Sequence, residues 1–194
     1  MLKITAILLA AGLSQRMGRD KLLLNYNGKS LLQIAIELLS ELPVHERIII
    51  TTDARSEHIT LPPGIRLCIN KTPETGQSES IKLGIERTQG DGSNAYLFLN
   101  ADQPLLTVND VSQIIATVDA HSEKIIYPLI NNKPNSPTIF PAHFRPQLLK
   151  LSADEGGRVV RNNNHEHCLA IAPNNPCNFI DIDNEEDYHD LINC

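Results

Sequence analysis

The 194-residue chain has no tryptophan, and aromatic residues make up only 4% of it. Its core is therefore expected to be built from Leu, Ile and Val, and a hydrophobic content of 41% is enough for one sizeable domain. Cys68, Cys168, Cys177 and Cys194 form no Cys-x-x-Cys pair, which removes the usual zinc spacing, and a chain of this size needs no disulfide staples. No secretory leader is visible, and no apolar run approaches the ~20 residues that cross a bilayer. A reduced, cytoplasmic setting without membrane contact is expected. Basic residues are in the minority: 17 Lys and Arg against 23 Asp and Glu leave a net charge of -6. That balance argues against a nucleic-acid partner. The seven histidines are scattered, and His165-Glu166-His167, lacking a third ligand nearby, reads as a solvated loop. Repeats and low-complexity segments are absent.

Two familiar phosphate signatures are missing as well. A Walker loop needs Gly-Lys-Ser/Thr after its first glycine and four residues, but Gly18 is followed by Arg19 and Asp20. Gly12 and Gly18 do not fit the GxGxxG spacing of a dinucleotide fingerprint, which counts against a dinucleotide-dependent oxidoreductase.

What is present is a run, Ile4 to Leu9, that reads as a buried strand and breaks off into Ala10-Ala11-Gly12-Leu13-Ser14-Gln15-Arg16-Met17-Gly18-Arg19-Asp20-Lys21. Small residues let backbone amides approach a polyanion, and successive amides form an anion-binding concavity. Arg16, Arg19 and Lys21 add full positive charges, and the combination suits a triphosphate. The alternative is an ordinary strand-to-helix turn with solvated basic residues.

Downstream, Asn27-Gly28 marks a turn, and Ser30 caps a helix over 31–42 with apolar residues at three-four spacing. Arg47 to Thr52 is a second buried strand, completing a right-handed βαβ unit. Strands follow at 65–69, 95–99 and 124–129, and helices at 79–88 and 108–120, the latter opened by a Thr107/Asp110 capping box. The last third reads as a short strand at 137–141 pairing back on its predecessor, helices through Leu151 and at 154–163, and strands at 168–172 and 179–182. A helix over 185–192, capped by Asn184, closes it. The class is α/β, doubly wound, with a mostly parallel mixed sheet.

In such sheets ligands bind beyond the carboxyl ends of the strands, where strand order switches. The loops holding Gly12 to Lys21, Thr52-Asp53, Gly76 to Ser80 and Asp102-Gln103 are therefore expected to face one crevice. Asp102, at the end of an apolar strand, can hold Mg²⁺, which takes one or two carboxylates together with phosphate oxygens and waters; the alternative is a cap for the following turn. Ser78 and Ser80 offer hydroxyls at a helix start, where simple N-capping by Ser78 is the alternative.

The first stretch resembles the signature loop of MobA-like nucleotidyltransferases, in the pattern Leu9-Ala10-Ala11-Gly12-x-Ser14-x-Arg16-Met17-Gly18-x-x-Lys21. The resemblance recurs at Gly76-Gln77-Ser78-Glu79-Ser80, Asp102-Gln103-Pro104-Leu105-Leu106 and Asp181-Ile182-Asp183-Asn184-Glu185-Glu186-Asp187, so it spans almost the whole chain. Within the family it is most similar to the molybdopterin cytidylyltransferases; the guanylyltransferase relatives usually carry Leu-Ala-Gly-Gly where this chain has Ala11. The resemblance implies a three-layer α/β/α, Rossmann-like fold of the nucleotide-diphospho-sugar transferase type. It implies one domain over 1–194, with residues 1–107 on the nucleotide and 108–194 on the acceptor.

The implied reaction is transfer of CMP from CTP to a phosphate of molybdopterin. Arg16 and the loop amides would hold the β- and γ-phosphates, Lys21 would neutralise charge near the α-phosphate, and Asp102 would carry Mg²⁺. Leu9, Ala10, Ala11, Gly12, Ser14, Gly18, Thr52, Gly76, Ser78 and Ser80 complete the implied nucleotide site, with Arg158 near the acceptor. Asp181 is favoured over Asp183 as the second metal ligand, with Asp183 a turn residue. The resemblance also implies a molybdoenzyme that receives the product as a partner. Asn135-Ser136-Pro137, Ala153 and Asn184-Glu185 depart from the family pattern in the acceptor-shaping third. A sugar or polyol phosphate therefore stands as an alternative acceptor, and a non-catalytic nucleotide- or pterin-binding chaperone as an alternative role.

Overall fold

The computed structural model describes residues 2–14, 17–88 and 93–193. Strand β1 (Ile4–Ala10) is buried along almost its whole length. A 3-10 turn over Lys21–Leu23 leads into a small hairpin, β2 (Asn25–Tyr26) and β3 (Lys29–Ser30), turned at Asn27-Gly28. Ser30 caps α1 (Leu31–Glu41), its side chain accepting from the Gln33 amide at 3.1 Å. There follow β4 (Glu46–Thr51), the four-residue α2 (Asp53–Ser56), β5 (Ile65–Ile69) and α3 (Gln77–Glu86). Next come β6 (Ala95–Asn100), α4 (Val108–Thr117), opened by the expected Thr107/Asp110 capping box, and β7 (Ile125–Ile130). The last third holds β8 (Lys133–Pro134), β9 (Thr138–Pro141), α5 (Arg145–Leu148), α6 (Gly157–Asn163), β10 (Cys168–Ile171) and α7 (Glu185–Asn193).

The main sheet runs β10-β7-β9-β6-β1-β4-β5, with β8 folded back on β7. β1 lies at its centre, parallel to β4 on one side and to β6 on the other. Because the chain leaves β1 for one side and later returns to the other, the switch of strand order falls between β1 and β6, which puts the crevice at their carboxyl ends. Side chains alternate across the sheet with period two. Ile4, Ala6 and Leu8 pack under α1 and α4, against Leu32, Ile36, Leu39, Val111 and Ile114. Ile7 faces the opposite layer, with Ile81 and Ile85 of α3, Leu148 of α5 and Val160 of α6. These are the three α/β/α layers of a doubly wound, mostly parallel mixed sheet.

A satellite cluster of Met17, Leu24, Leu31, Ile182 and Leu191, flanked by Tyr26 and Tyr188, ties α7 to the hairpin. Ile182 is 1% exposed, so the residues on either side of it are held in place by its burial.

Several expectations for the last third need correction. Residues 179–182 are not a strand: a 3-10 turn covers Pro176–Phe179, the residues after it are irregular, and the Ile182 amide donates to the Asp102 carbonyl at 2.9 Å. A single bridge to a loop has replaced a sheet ladder. β9 pairs once with its predecessor β7 but at four positions with β6, so it inserts between them. The helix expected from Asp154 begins at Gly157, because Ala153 takes a left-handed φ of 48° and Gly156 stands as its N-cap.

Candidate active site

A cavity of about 620 Å³ opens at the carboxyl ends of β1 and β6. Its volume suits a nucleotide-sized ligand. Leu9 lines it from the end of β1, Ala11, Gly12, Ser14 and Lys21 from the loop that follows, Gly76 and Ser80 from the start of α3, and Asp102 from the loop after β6. Arg158, Asp154, Asp181 and Asp183 close it from the last third. Three of the four loops expected to converge therefore do so.

The fourth does not. Thr52 lies outside the lining and instead caps α2, its hydroxyl accepting from the Arg55 amide at 3.4 Å. Ala10 is also outside it: its side chain is in the core, and its carbonyl accepts from Thr51 and Arg55. Ser78 neither lines the cavity nor caps α3, whose N-cap is Gly76; its hydroxyl is buried and has no hydrogen-bond partner among the described residues. Gly18, at φ 63°, is not part of the lining either. Arg19 is bound to Glu185 at 2.7 Å and lies over the Tyr188 ring, so its charge serves α7 rather than the phosphate loop. Arg16 lies outside the described residues.

At the centre, Lys21 Nζ donates to Asp102 at 2.7 Å and to Asp183 at 3.0 Å. Burial alone would lower the Lys21 pKa, but the two carboxylates outweigh it and hold the ammonium above the ordinary lysine value. Asp183 is thus part of the charged cluster, and more than the turn residue expected. Asp181, on the other side of Ile182, is pushed up to about 7 by burial and then by the charges of Asp102 and Asp183.

One oxygen each of Asp102 and Asp181 is buried and makes no hydrogen bond among the described residues. Two unpaired carboxylate oxygens in a site with surplus negative charge fit a divalent cation. No group of three or more His, Cys, Asp or Glu side chains among the described residues forms a metal cage by itself. The donor set matches Mg²⁺ or Mn²⁺ held by two carboxylates and completed by substrate oxygens.

Gly76 is required at its position by close approach. It adopts φ 104°, and a Cβ there would lie 2.5 Å from the Ala153 carbonyl and from Asp154. The contact seats the 153–158 segment against α3 and brings Arg158 to the rim. Ser80 is fixed from behind, its hydroxyl accepting from the Asn70 amide at 3.1 Å.

Residues 6–168 match the family described as MobA-like NTP transferase domain. The chain belongs to that family. It is a nucleotidyltransferase by that membership. It is 24% identical over 200 residues to the purine catabolism protein PucB of Bacillus subtilis, covering 95% of this chain and 94% of PucB. It is 28% identical over 174 residues to a probable molybdenum cofactor guanylyltransferase of Nostoc, covering 88% and 81%. In fold it is similar to Rv0371c of Mycobacterium tuberculosis, with a TM-score of 0.79 and 21% identity over 100% of this chain and 99% of that one. Rv0371c has also been solved in complex with manganese, a structure matching at a TM-score of 0.77 with 20% identity over 98% of each chain.

Sequence reading missed Arg55. Its side chain is 4% exposed, and it donates to Asp20 and to the carbonyls of Ala10 and Gly12, each at 2.6 Å. The available signal was positional: an arginine one turn past β4, the strand beside β1, and an aspartate just before Lys21 with no assigned partner.

Proposed function

We propose that this chain transfers CMP from CTP to the terminal phosphate of molybdopterin, with a divalent cation, releasing pyrophosphate. The observation that carries the reading is the meeting of Lys21, Asp102 and Asp181 at the open end of the β1 loop. In the reaction an acceptor phosphate oxygen forms a bond to the α-phosphorus, and the bond from that phosphorus to the bridging oxygen breaks. The electron pair leaves with pyrophosphate. A phosphoryl-type transfer of this kind needs alignment and charge neutralisation and no protein nucleophile.

The chain's own residues supply these as follows. Amides of the Ala11 to Ser14 loop face the polyphosphate, and the charge of Arg16 is assigned there by the family resemblance alone. Lys21, drawn from its carboxylates, meets the negative charge that grows around the α-phosphorus. Asp102 and Asp181 would hold the cation, which when bound neutralises phosphate oxygens and steadies the leaving group. Arg158 at the rim faces the acceptor phosphate.

The base is argued from Ala11, which is buried in the cavity wall. Its methyl takes space where a purine would extend, although one methyl discriminates by only about 1–3 kcal/mol. Guanylyl transfer is the second reading, favoured by the name of the Nostoc relative. A sugar or polyol phosphate acceptor rests on the departures at Asn135-Ser136 and Ala153. The test is pyrophosphate release from CTP or GTP, with Mg²⁺ or Mn²⁺, with and without molybdopterin. Release that requires molybdopterin and prefers CTP is the expected result. Preference for GTP overturns the base, release with a sugar phosphate alone overturns the acceptor, and nucleotide binding without turnover overturns the enzyme.

A further inference from the structure

A loop that binds phosphate through its amides must turn its carbonyl oxygens the other way, and those oxygens need donors of their own. In this chain one side chain serves two of those carbonyls at once. Arg55 reaches from α2 beneath the β1 loop and donates through Nη1 to the Ala10 carbonyl and through Nη2 to the Gly12 carbonyl, both at 2.6 Å. A longer contact of 3.5 Å joins Nη2 to the Ser14 hydroxyl. The remaining edge of the guanidinium, Nε, donates to Asp20 at 2.6 Å. Three sides of a planar fork are thus committed to three points of the loop, a geometry that lysine cannot reproduce.

Asp20 passes the constraint onward. Its other oxygen accepts from the Leu22 amide at 3.1 Å and so caps the 3-10 turn that carries Lys21. The Lys21 amide in turn donates to the Ser14 hydroxyl at 3.3 Å. One guanidinium therefore sets both the direction of the loop carbonyls and the start of the turn from which Lys21 extends. It is placed for this by Thr52, which caps α2, and by the parallel pairing of β1 with β4, which brings α2 beside the loop.

We propose that Arg55 is a positioning residue for the nucleotide: it holds the carbonyls of Ala10 and Gly12 outward and, through Asp20, fixes Lys21, so that loop amides and ammonium face one polyphosphate. The inference rests on the reading of this loop as a nucleotide site. Arg55 does not line the cavity and touches no substrate; it acts through the backbone it collects.

Two measurements separate the inference from the reading beneath it. Hydrogen exchange by mass spectrometry, without ligand, compares the full chain with Arg55→Lys. Amides of residues 17–24 and 10–14 are expected to exchange at least tenfold faster in the variant, with β1, β4 and β6 otherwise unchanged. A purely structural role would instead quicken exchange across the sheet. Calorimetric titration with MgCTP and MgGTP then reads the consequence. Whichever triphosphate the unsubstituted protein binds is expected to bind Arg55→Lys at least tenfold more weakly.

Asp20→Asn is the second variant. It keeps a cap oxygen for Leu22 and removes only the charge facing Arg55, at a side chain 32% exposed. It is expected to move both readouts in the same direction by a smaller factor, and it carries the test alone if Arg55→Lys does not fold. Unchanged loop exchange, or unchanged triphosphate affinity, in a folded variant overturns the proposal. If the unsubstituted protein binds neither triphosphate, the nucleotide reading fails and takes the positioning role with it, while the exchange data still report whether Arg55 orders the loop.

Discussion

Lys21 and Asp102, 81 positions apart in the chain, meet at 2.7 Å between Nζ and Oδ2. The contact spans the switch in strand order, from the loop after β1 to the loop after β6, and Asp183 shares the same ammonium at 3.0 Å. The lysine is thus the internal counter-ion of the acidic cluster.

Lys21→Ala is expected to fold, because the side chain belongs to no apolar cluster among the described residues, and to lose turnover by roughly 10²–10³, the usual size of a preorganised electrostatic contact. Pyrophosphate release, alongside circular dichroism, measures this. Rates near those of the unsubstituted protein would remove Lys21 from the chemistry.

Asp181 sets a pH dependence whose sign follows from its raised pKa of about 7. Between the ordinary carboxylate value and 7 the folded form holds a proton that the unfolded form has released. This contribution to stability is full below about 4 and is lost as pH rises through 7. Asp181→Asn is therefore expected to be more stable than the unsubstituted protein at pH 8 and little different at pH 4. The gain at pH 8 has an upper bound of roughly 4 kcal/mol, since each unit of pKa is worth about 1.4 kcal/mol. Thermal melts of the metal-free proteins at the two pH values check it.

Divalent cations are expected to reverse that trend, because a cation at Asp102 and Asp181 requires the ionised carboxylate. Affinity for Mn²⁺ in the presence of CTP should fall by up to about tenfold per pH unit below 7. In Asp181→Asn this slope should flatten and overall affinity drop. Titrations from pH 5.5 to 8 read both.

Gly76→Ala is expected to destabilise the protein by about 1–3 kcal/mol, the cost of holding a side chain in an unfavoured backbone region, with the clash against Ala153 adding to it. Chemical denaturation measures the loss. A variant as stable as the original would mean that the 153–158 segment is free to move off α3.

Elements governed by neighbours in sequence were legible before the fold was known. Ser30 ahead of α1 and the Thr107/Asp110 box ahead of α4 form through bonds across three residues, and the Asn27-Gly28 turn is likewise local. The loop after β1 was legible from its small residues and its lysine. Residues 179–182 were not, since an apolar stretch broken by one acid fits a strand, and it is a distant carbonyl, that of Asp102, that ties it to a loop instead. Arg55 escaped for a related reason. Beside Asp53 and Ser56 it reads as one more polar residue, and its burial depends on a loop more than 30 positions earlier.

The way Asp181 and Asp183 are mounted bears on how the protein ages under heat. Both hang from Ile182, which is sheltered by four other buried side chains in a patch far smaller than the sheet's two main cores. That patch should give way first on warming, carrying off the acids while the strands stay paired. Catalytic failure would then precede visible melting, and a pre-warmed, cooled sample would recover without having unravelled.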